Sequence, residues 1–325
     1  MEAAVQLDDV TKSFGQKTAV DGLNLSIPAG GLYGFIGPNG AGKTTTIRMI
    51  MSILFPDSGS LSVLGRRSAL EAKDRIGYLP EERGVYRKMR VGAFLRYMAL
   101  LKGVREAGLE KRIIDLLEKV DLYDTFDKRC EDLSKGMSQK IQFLSAIIHE
   151  PDLLILDEPF SGLDPLSMRM LRELILSEHR RGATILFSTH VMPQAEEICD
   201  HIIMIHESYK VLDEKLSLIH RKYASGKIFF APLNAEEDIT VIRNLQDIEQ
   251  VTNCGNGYEI KLRDCCDTAA VMQKIAAAVP PAHIELSRPS LEDIFVQIVS
   301  GSSASIQIES KLRTGLHAYS NGEHQ

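Results

Sequence analysis

The chain has 325 residues, of which 44% are hydrophobic and 25% are charged. This balance excludes wholesale disorder, and the length predicts two domains. Acidic residues (44) outnumber Lys and Arg (38), and the net charge of −6 argues against a nucleic-acid partner. Apolar runs are only as long as strands, so we expect no membrane span and no signal peptide. Five cysteines without zinc-ligand spacing favour reduced thiols in an intracellular protein.

The first part of the chain predicts strands that lead into a glycine-rich loop. Residues 1–30 alternate between apolar and polar positions on both sides of a turn at Gly15, which is typical of an antiparallel strand pair. The apolar run 32–36 predicts a further strand. A helical pattern begins at Lys43 after the loop and stops before Pro56.

The middle of the chain predicts a helical insertion followed by alternating strands and helices. Apolar residues at helical spacing fill residues 91–150. The elements expected after them are strands at 153–157, 183–188 and 201–205 and helices at 165–180 and 192–199. Strands interleaved with helices indicate an α/β fold with a parallel core sheet covered on both faces.

A second pattern starts after residue 220. Its expected elements are strands at 228–230, 248–253, 257–262 and 283–286 and helices at 236–246, 267–279 and 291–299. The order β-α-β-β-α-β is typical of a split βαβ sandwich. We therefore predict domains at 1–220 and 221–299, the second a small α+β domain, and a disordered tail at 300–325.

The loop between the third strand and the first helix has the chemistry of a phosphate cradle. Residues 37–44 read GPNGAGKT and fit G-x-x-x-x-G-K-[ST]. Glycines let backbone N–H groups approach phosphate oxygens, and the helix that starts at Lys43 directs its positive end at them. Lys43 can reach the β and γ phosphates, while the Thr44 hydroxyl can bind Mg²⁺. The alternative is a glycine turn that happens to contain Lys-Thr.

Two carboxylates and a histidine follow buried strands. Asp157 and Glu158 end the strand 153–157, at the edge where open α/β sheets bind ligands. Asp157 is placed to help hold Mg²⁺, and Glu158 to polarise an attacking water as general base. His190 follows the strand 183–188 and can hold the γ-phosphate and the water in line. The alternatives are a strand-end helix cap and an ordinary polar histidine.

These residues, together with Leu133–Met137 (LSKGM), resemble the nucleotide-binding subunit of an ABC transporter. The resemblance covers residues 3 to about 220 in the family's order. Phe14 matches the aromatic residue that stacks on adenine. Residues 37–45 match the Walker A loop, and residues 153–158 match the Walker B strand. Residues 133–137 match the signature, residues 161–164 match the D-loop, and His190 matches the switch histidine. The alternative for Phe14 is a core residue. The phrases 78–86 and 289–295 are similar to drug-resistance and sodium-efflux exporter ATPases.

The resemblance implies a P-loop NTPase of the ABC type that binds ATP and Mg²⁺. It implies a head-to-tail dimer, expected to be a homodimer, in which Ser134 and Gly136 of one copy complete the phosphate site of the other. It further implies integral-membrane permease subunits as partners and a position at the cytoplasmic face of the membrane. Ser134 is expected at a helix N-terminus, which attracts anions.

Three positions depart from the family pattern. Lys135 and Met137 replace the usual Gly and Gln of the signature, and Glu81 stands where the family usually has the Q-loop glutamine. Glu81 retains an oxygen ligand for Mg²⁺ but adds a charge. The predicted nucleotide-binding residues are Phe14, Gly37, Pro38, Asn39, Gly40, Ala41, Gly42, Lys43, Thr44, Thr45, Ser134 and Gly136; the predicted catalytic residues are Glu158 and His190; the predicted metal ligands are Thr44, Asp157 and Glu81.

Other functions remain open at this stage. A soluble ABC ATPase of chromosomes or ribosomes is the first alternative, but long heptad arms and a second cassette are missing. A nucleotide-gated module without turnover is the second, although Glu158 and His190 are both present. Cys265 and Cys266 are interpreted as idle thiols rather than a soft-metal site. The apolar face of the helix 291–299 is expected to pack within its own domain or to serve dimerisation.

Overall fold

The computed structural model describes residues 3–82, 84–223, 226–234, 237–263 and 266–301. The chain divides into two compact units, Met1–Leu216 and Ser217–Gln325. The predicted tail at 300–325 lies outside the described residues from position 302 onward. Within the described residues, no helix is both long enough and apolar enough to cross a membrane.

The first unit contains nine strands and six helices among its described residues. Its strands are β1 (Ala3–Phe14), β2 (Lys17–Pro28), β3 (Leu32–Ile36), β4 (Ser58–Val63), β5 (Ile76–Leu79), β6 (Leu153–Asp157), β7 (Thr184–Thr189), β8 (His201–His206) and β9 (Tyr209–Lys215). Its helices are α1 (Lys43–Ile50), α2 (Val91–Leu101), α3 (Leu109–Glu118), α4 (Lys135–Ile147), α5 (Pro165–Arg181) and α6 (Met192–Ile198).

The core of this unit is a six-stranded sheet in the order β5-β6-β7-β3-β8-β9. All neighbours are parallel except β8 and β9, which pair as an antiparallel hairpin. Every residue of β3, β6 and β7 is buried, as expected for strands whose two faces are both covered. The predicted parallel core sheet is therefore confirmed, and it brings the carboxyl ends of β3, β6 and β7 to one edge.

An antiparallel sheet in the order β2-β1-β4 contains the N-terminal strands. Leu7 is the central partner, opposite Leu25 on one side and Leu61 on the other. The apolar faces of these strands join β3, β6 and α1 in one buried cluster. Burial of this shared apolar surface is the main force that holds the antiparallel sheet against the parallel one.

The helices α2, α3 and α4 form the predicted helical insertion and contact one another. Helix α4 begins at Lys135, directly after Ser134, whose hydroxyl accepts a hydrogen bond from the Met137 backbone N–H at 3.3 Å. Helix α5 is bounded by Asp164 and Pro165 at its start and by Gly182 in a left-handed conformation at its end.

The second unit contains an antiparallel four-stranded sheet with the strand order of a split βαβ fold. Its elements are α7 (Leu216–Lys222), β10 (Lys227–Pro232), α8 (Thr240–Arg243), β11 (Ile248–Asn253), β12 (Tyr258–Leu262), α9 (Thr268–Ala278), β13 (Pro281–Ser287) and α10 (Leu291–Gly301). The sheet order is β11-β12-β10-β13, and each pair is antiparallel. The predicted β-α-β-β-α-β order is thus observed.

Two details of the second unit differ from or extend the sequence analysis. The helix expected at 236–246 is the single turn α8, which begins where the Asp238 carboxylate accepts a hydrogen bond from the Thr240 N–H at 2.8 Å. The apolar face of α10 is covered within the chain, because Leu291, Ile294 and Phe295 are all buried. That face is therefore not free to bind a second copy.

Candidate functional site

The phosphate-binding loop connects β3 to α1 at the carboxyl edge of the parallel sheet. Two of its glycines are required by close backbone contacts. A Cβ atom on Gly37 would lie 2.1 Å from the Ile205 carbonyl oxygen, and one on Gly42 would lie 2.3 Å from the Ala19 carbonyl oxygen. Gly42 also has φ 111° where α1 begins. The backbone path of the loop is thus fixed by close packing against neighbouring carbonyl groups.

Lys43 is buried at the first position of α1, with only 6% of its surface exposed. Its ammonium donates hydrogen bonds to the carbonyl oxygens of Gly37 at 2.7 Å and Pro38 at 3.1 Å. Burial lowers the pKa of Lys43, and the nearby carboxylates of Glu158, Asp157 and Glu81 oppose that shift. The loop therefore holds a cation at the point where the sequence predicts phosphate.

Asp157 ends β6 and is almost fully buried, with 1% exposed. Its Oδ1 accepts a hydrogen bond from the Ser188 hydroxyl at 2.7 Å, but its Oδ2 has no protein partner in the described part of the chain. Burial raises the pKa of Asp157, while the hydroxyls of Ser188 and Thr44 lower it. A buried carboxylate oxygen without a partner, next to a threonine hydroxyl, is the oxygen-rich setting that Mg²⁺ prefers.

Glu158 and His190 form a direct pair beside Asp157. The Glu158 Oε1 accepts hydrogen bonds from His190 Nδ1 at 2.7 Å and from the His190 backbone N–H at 2.9 Å. Its Oε2 accepts from the Thr189 hydroxyl at 3.3 Å. Glu158 also has φ 49°, an uncommon conformation for a residue other than glycine. These three hydrogen bonds fix the orientation of the Glu158 carboxylate.

A cleft of about 420 Å³ gathers most of the predicted nucleotide residues. It is lined by Phe14, Lys17, Ala19, Asn39, Gly40, Gly42, Lys43, Thr44, Thr45, Glu81 and Glu158. Phe14 is 49% exposed, so it is not a core residue, and Lys12 lies 5.7 Å from its ring centroid. Glu81 is an exposed member of the cleft lining. Gly37 and Ala41 are buried behind the cleft, and Pro38 is half-buried.

Ser134 and Gly136 do not line this cleft. Ser134 is exposed at the N-terminus of α4. Gly136 lies beside Leu163 and Asp164 of the D-loop segment, where a Cβ atom would be 3.6 Å from Leu163 Cδ2. The N-terminus of α4 is thus separate from the cleft of the same chain.

Several residues of the site were missed by the sequence analysis. Lys17 lines the cleft, and Ser188 and Thr189 hold the two carboxylates. Asp157 lies opposite Ser188 in the parallel register, so strand pairing brings them together. Gln139 of α4 donates to the Pro159 carbonyl at 3.0 Å and links the signature helix to the turn after Glu158. The hydroxyls at the end of β7 were the signal available in the sequence.

Candidate metal clusters elsewhere are not observed. Among the described residues, no group of three or more His, Cys, Asp or Glu side chains has the arrangement of a metal site. Cys265 lies outside the described residues, and Cys266 contacts the Asp247 carbonyl oxygen at 3.8 Å. His201 lies 2.8 Å from the Asp213 carboxylate, which fits a structural role.

Comparison with known proteins agrees with this architecture. Residues 20–161 match the ABC transporter family, and residues 215–299 match the C-terminal domain of DrrA1-3-like ATP-binding proteins. The uncharacterized ABC transporter ATP-binding protein YhaQ of Bacillus subtilis is 39% identical over 293 residues, which cover 90% of this chain and 97% of that protein. The bacitracin transport ATP-binding protein BcrA of Bacillus licheniformis is 32% identical over 310 residues, covering 93% of this chain and 99% of that protein.

A solved structure of an ATP-binding subunit of an ABC transporter superposes with a TM-score of 0.63 at 31% identity, covering 68% of this chain and 93% of that one. The fold and the sequence therefore define a P-loop ATPase of the ABC type. The chain belongs to the family of ABC transporter ATP-binding proteins, whose members are ATPases, and it resembles the exporter type.

Proposed function

We propose that this chain hydrolyses Mg-ATP at a head-to-tail dimer interface and thereby drives export through separate membrane subunits at the cytoplasmic face of the membrane. The observation that carries the proposal is the pairing of Glu158 with His190 in the cleft that also contains Lys43. A fixed general base next to a buried cation is the arrangement that phosphoryl transfer to water requires.

The residues of the cleft have separate roles in the proposed reaction. Phe14, half exposed, would offer its ring to the adenine base, and the loop residues that line the cleft would offer backbone N–H groups to the phosphates. Lys43 would exchange its hydrogen bonds to Gly37 and Pro38 for phosphate oxygens. Glu158 accepts a proton from the attacking water, and His190 holds that carboxylate in position.

The residues that would hold Mg²⁺ are Thr44, Asp157 and Glu81. Asp157 fits because its buried Oδ2 lacks a partner in the described structure. When bound, the cation would neutralise charge that develops on the phosphate oxygens. Ser188 keeps the Asp157 carboxylate in one orientation through the 2.7 Å hydrogen bond to Oδ1.

The dimer is supported by the separation of the two anion-binding features. Ser134 and Gly136 lie at an exposed helix N-terminus outside the cleft, so a second copy is the natural source of that helix end. The α4 end of one copy would then close over the γ-phosphate held by Lys43 of the other. Loss of the γ-phosphate on hydrolysis would release the two copies.

Contact with a membrane subunit is supported by an exposed apolar face. Tyr97, Leu100 and Leu101 lie at helical spacing on α2, and all are more than 40% exposed. Tyr86, 53% exposed, adds its ring at 5.7 Å from the ring of Tyr97. Such a patch on an ATPase subunit marks a protein interface. Export is supported by the similarity to the Nod factor export ATP-binding protein I of Paraburkholderia xenovorans, which is 38% identical over 215 residues.

The hydrolysis mechanism is tested with Glu158→Gln. The amide cannot accept a proton, so we expect turnover to fall by at least about 100-fold while ATP affinity stays within about threefold. Phosphate release and equilibrium binding of labelled ATP measure the two quantities. The matched control is Glu106→Gln, since Glu106 is an exposed carboxylate paired with Arg96 at 3.0 Å outside the cleft. Unchanged turnover in the Glu158 variant would remove this residue from the mechanism.

The shared sites are tested by mixing two inactive variants. Lys43→Ala removes the cation of the cleft, and Ser134→Glu places a negative charge where the partner's phosphate is expected. Glu is tolerated at a helix N-terminus, so α4 is expected to remain folded. If the sites are shared, a mixed dimer contains one intact site, and an equal mixture regains about a quarter of wild-type turnover. A mixture as inactive as its components would mean that each chain works alone.

A further inference from the structure

Glu81 brings a negative charge into the nucleotide cleft at a position where the family resemblance implies a neutral glutamine. Its side chain lines the cleft together with Lys43, Thr44 and Glu158. It is exposed, and within the residues that the structure describes it forms no direct ion pair, although its charge acts on the Lys43 ammonium. Glu82, the next residue, instead pairs with Arg48 at 3.8 Å. The charge of Glu81 would therefore act on a nucleotide or a metal ion bound in the cleft.

The fixed charges around the cleft are already unfavourable for a bare nucleotide. Two ammonium groups, Lys17 and Lys43, line it together with two carboxylates, Glu81 and Glu158. Asp157 adds a third carboxylate beside Thr44, and all three carboxylates act on Lys43. Metal-free ATP carries about four negative charges and would lie next to this excess, whereas a bound divalent cation cancels about two of them.

Backbone N–H groups and the N-terminus of α1 attract phosphate whether or not a metal is bound. Discrimination between the metal-bound and the metal-free nucleotide must therefore come from side-chain charge. A glutamine at position 81 would offer the metal an amide oxygen and would remove one of the three carboxylates that repel bare phosphate. A carboxylate at the same place attracts the cation and repels the phosphate oxygens when the cation is missing.

We propose that Glu81 makes this cleft selective for the magnesium-bound nucleotide over the metal-free nucleotide. The inference rests on the proposed function, because it concerns the same cleft. The Asp157 Oδ2, buried and without a protein partner in the described structure, is the second oxygen that points to a cation here. Glu81 thus acts as a specificity determinant for the form of the substrate.

The test compares Glu81→Gln with Glu82→Gln in the full-length chain. Both changes replace an exposed carboxylate by an amide of the same size, but only the first lies in the cleft. The affinity for the non-hydrolysable analogue AMP-PNP is measured by calorimetry, once with Mg²⁺ and once with EDTA. The readout is the preference ratio, which is the Kd in EDTA divided by the Kd in Mg²⁺.

We expect Glu81→Gln to lower the preference ratio about tenfold, mainly by tightening the binding of metal-free AMP-PNP. Glu82→Gln should leave the ratio within about twofold of wild type. The difference between Glu81→Gln and wild type should shrink as salt is raised, since exposed charges are screened over about 10 Å at 0.1 M. Melting curves of both variants check that the fold is intact.

The outcomes separate this inference from the proposed function. If the wild-type chain binds Mg-AMP-PNP and Glu81→Gln keeps the wild-type ratio, the inference is wrong and the proposed function stands. A ratio that falls equally in both variants also overturns it, because the effect is then one of general surface charge. If the wild-type chain fails to bind AMP-PNP even with Mg²⁺, both the proposed function and the inference fall.

Discussion

The nucleotide cleft of the first unit and the surface of the second unit use their charged groups in different ways. In the second unit, charges pair with each other: Lys274 lies 2.6 Å from Asp247, and Lys227 lies 2.8 Å from Glu259. In the first unit, Asp157 is buried with an oxygen that has no partner in the described structure, and Lys43 bonds only to loop carbonyls. Because a buried unpaired carboxylate oxygen is costly, its position beside the Thr44 hydroxyl and the Lys43 ammonium indicates a place kept for a ligand.

The largest effect is expected from a pair of glycine variants, one in each unit. Gly37→Ala would place Cβ 2.1 Å from the Ile205 carbonyl oxygen, so the phosphate loop must shift. We expect a loss of at least about 3 kcal/mol in stability, or at least about a 100-fold loss in ATP affinity. Chemical denaturation and equilibrium ATP binding measure the two.

Gly257→Ala is the matched variant in the second unit. Its Cβ would lie 2.7 Å from the Phe230 carbonyl oxygen, which also forces a backbone shift. We expect the second unit to lose stability while ATP affinity stays within about twofold of wild type, because the cleft residues all belong to the first unit. Loss of ATP binding in this variant would mean that the second unit also determines nucleotide affinity.

A smaller effect is expected at His149, which lies at the amino edge of the parallel sheet, away from Asp157. Its Nε2 lies 3.1 Å from the Ile76 carbonyl oxygen, and its Nδ1 is buried without a partner in the described residues. Burial and then the charge of Lys102 lower the pKa of His149 from 6.5 to about 4. His149 is thus a polar side chain of the first unit with an unpaired nitrogen in the described structure that does not line the cleft.

The sign of the pH effect follows from the depressed pKa. Between pH 6.5 and pH 4 the unfolded chain binds the proton and the folded chain does not, so stability falls as the pH is lowered through that window. Wild type should lose about 1–2 kcal/mol more than His149→Gln between pH 7 and pH 4.5, with partial exposure taken into account. Urea denaturation at several pH values measures this, and parallel curves would contradict it.

The smallest effect is expected from Lys274→Ala. The ammonium of Lys274 lowers the pKa of the Asp247 carboxyl, but Lys274 is exposed and Asp247 is partly exposed to solvent. We expect a slight loss of stability that disappears in high salt, and no change in ATP binding or turnover. Thermal melting at two salt concentrations, together with an ATPase assay, checks both. A clear loss of turnover would mean that the second unit contributes to the chemistry.

Local patterns predicted most of the elements, and the exceptions have physical causes. The hairpin of β8 and β9 was missed because its turn is formed by Glu207 and Ser208, both with positive φ, instead of the usual Asn-Gly. Strand β9 is mostly polar and half-exposed at the sheet edge, so its hydrophobic pattern is weak. The expected helix 236–246 is shortened to α8, and the Asp238 carboxylate accepts a hydrogen bond from the Thr240 N–H at its start.

The sequence predicted those parts of the candidate site whose residues are consecutive in the chain. The phosphate loop and the Asp157-Glu158 pair are each encoded in a few consecutive residues, so their roles follow from spacing. Lys17 carries no local pattern and became visible only as part of the cleft lining. The pairing of His190 with Glu158 depends on the turn at Glu158 with φ 49°, which no motif specifies.

The sequence alone determined which chemical groups are available, because glycine spacing, strand-end carboxylates and a capped signature helix are local properties. The tertiary structure decided which of these groups meet. Parallel pairing aligns Asp157 with Ser188, and the fold places Glu81 and Phe14 around Lys43 while leaving Ser134 outside the cleft. The reason is that distances between residues far apart in the chain are set by sheet register and by burial of apolar faces, and neither is encoded at any single position.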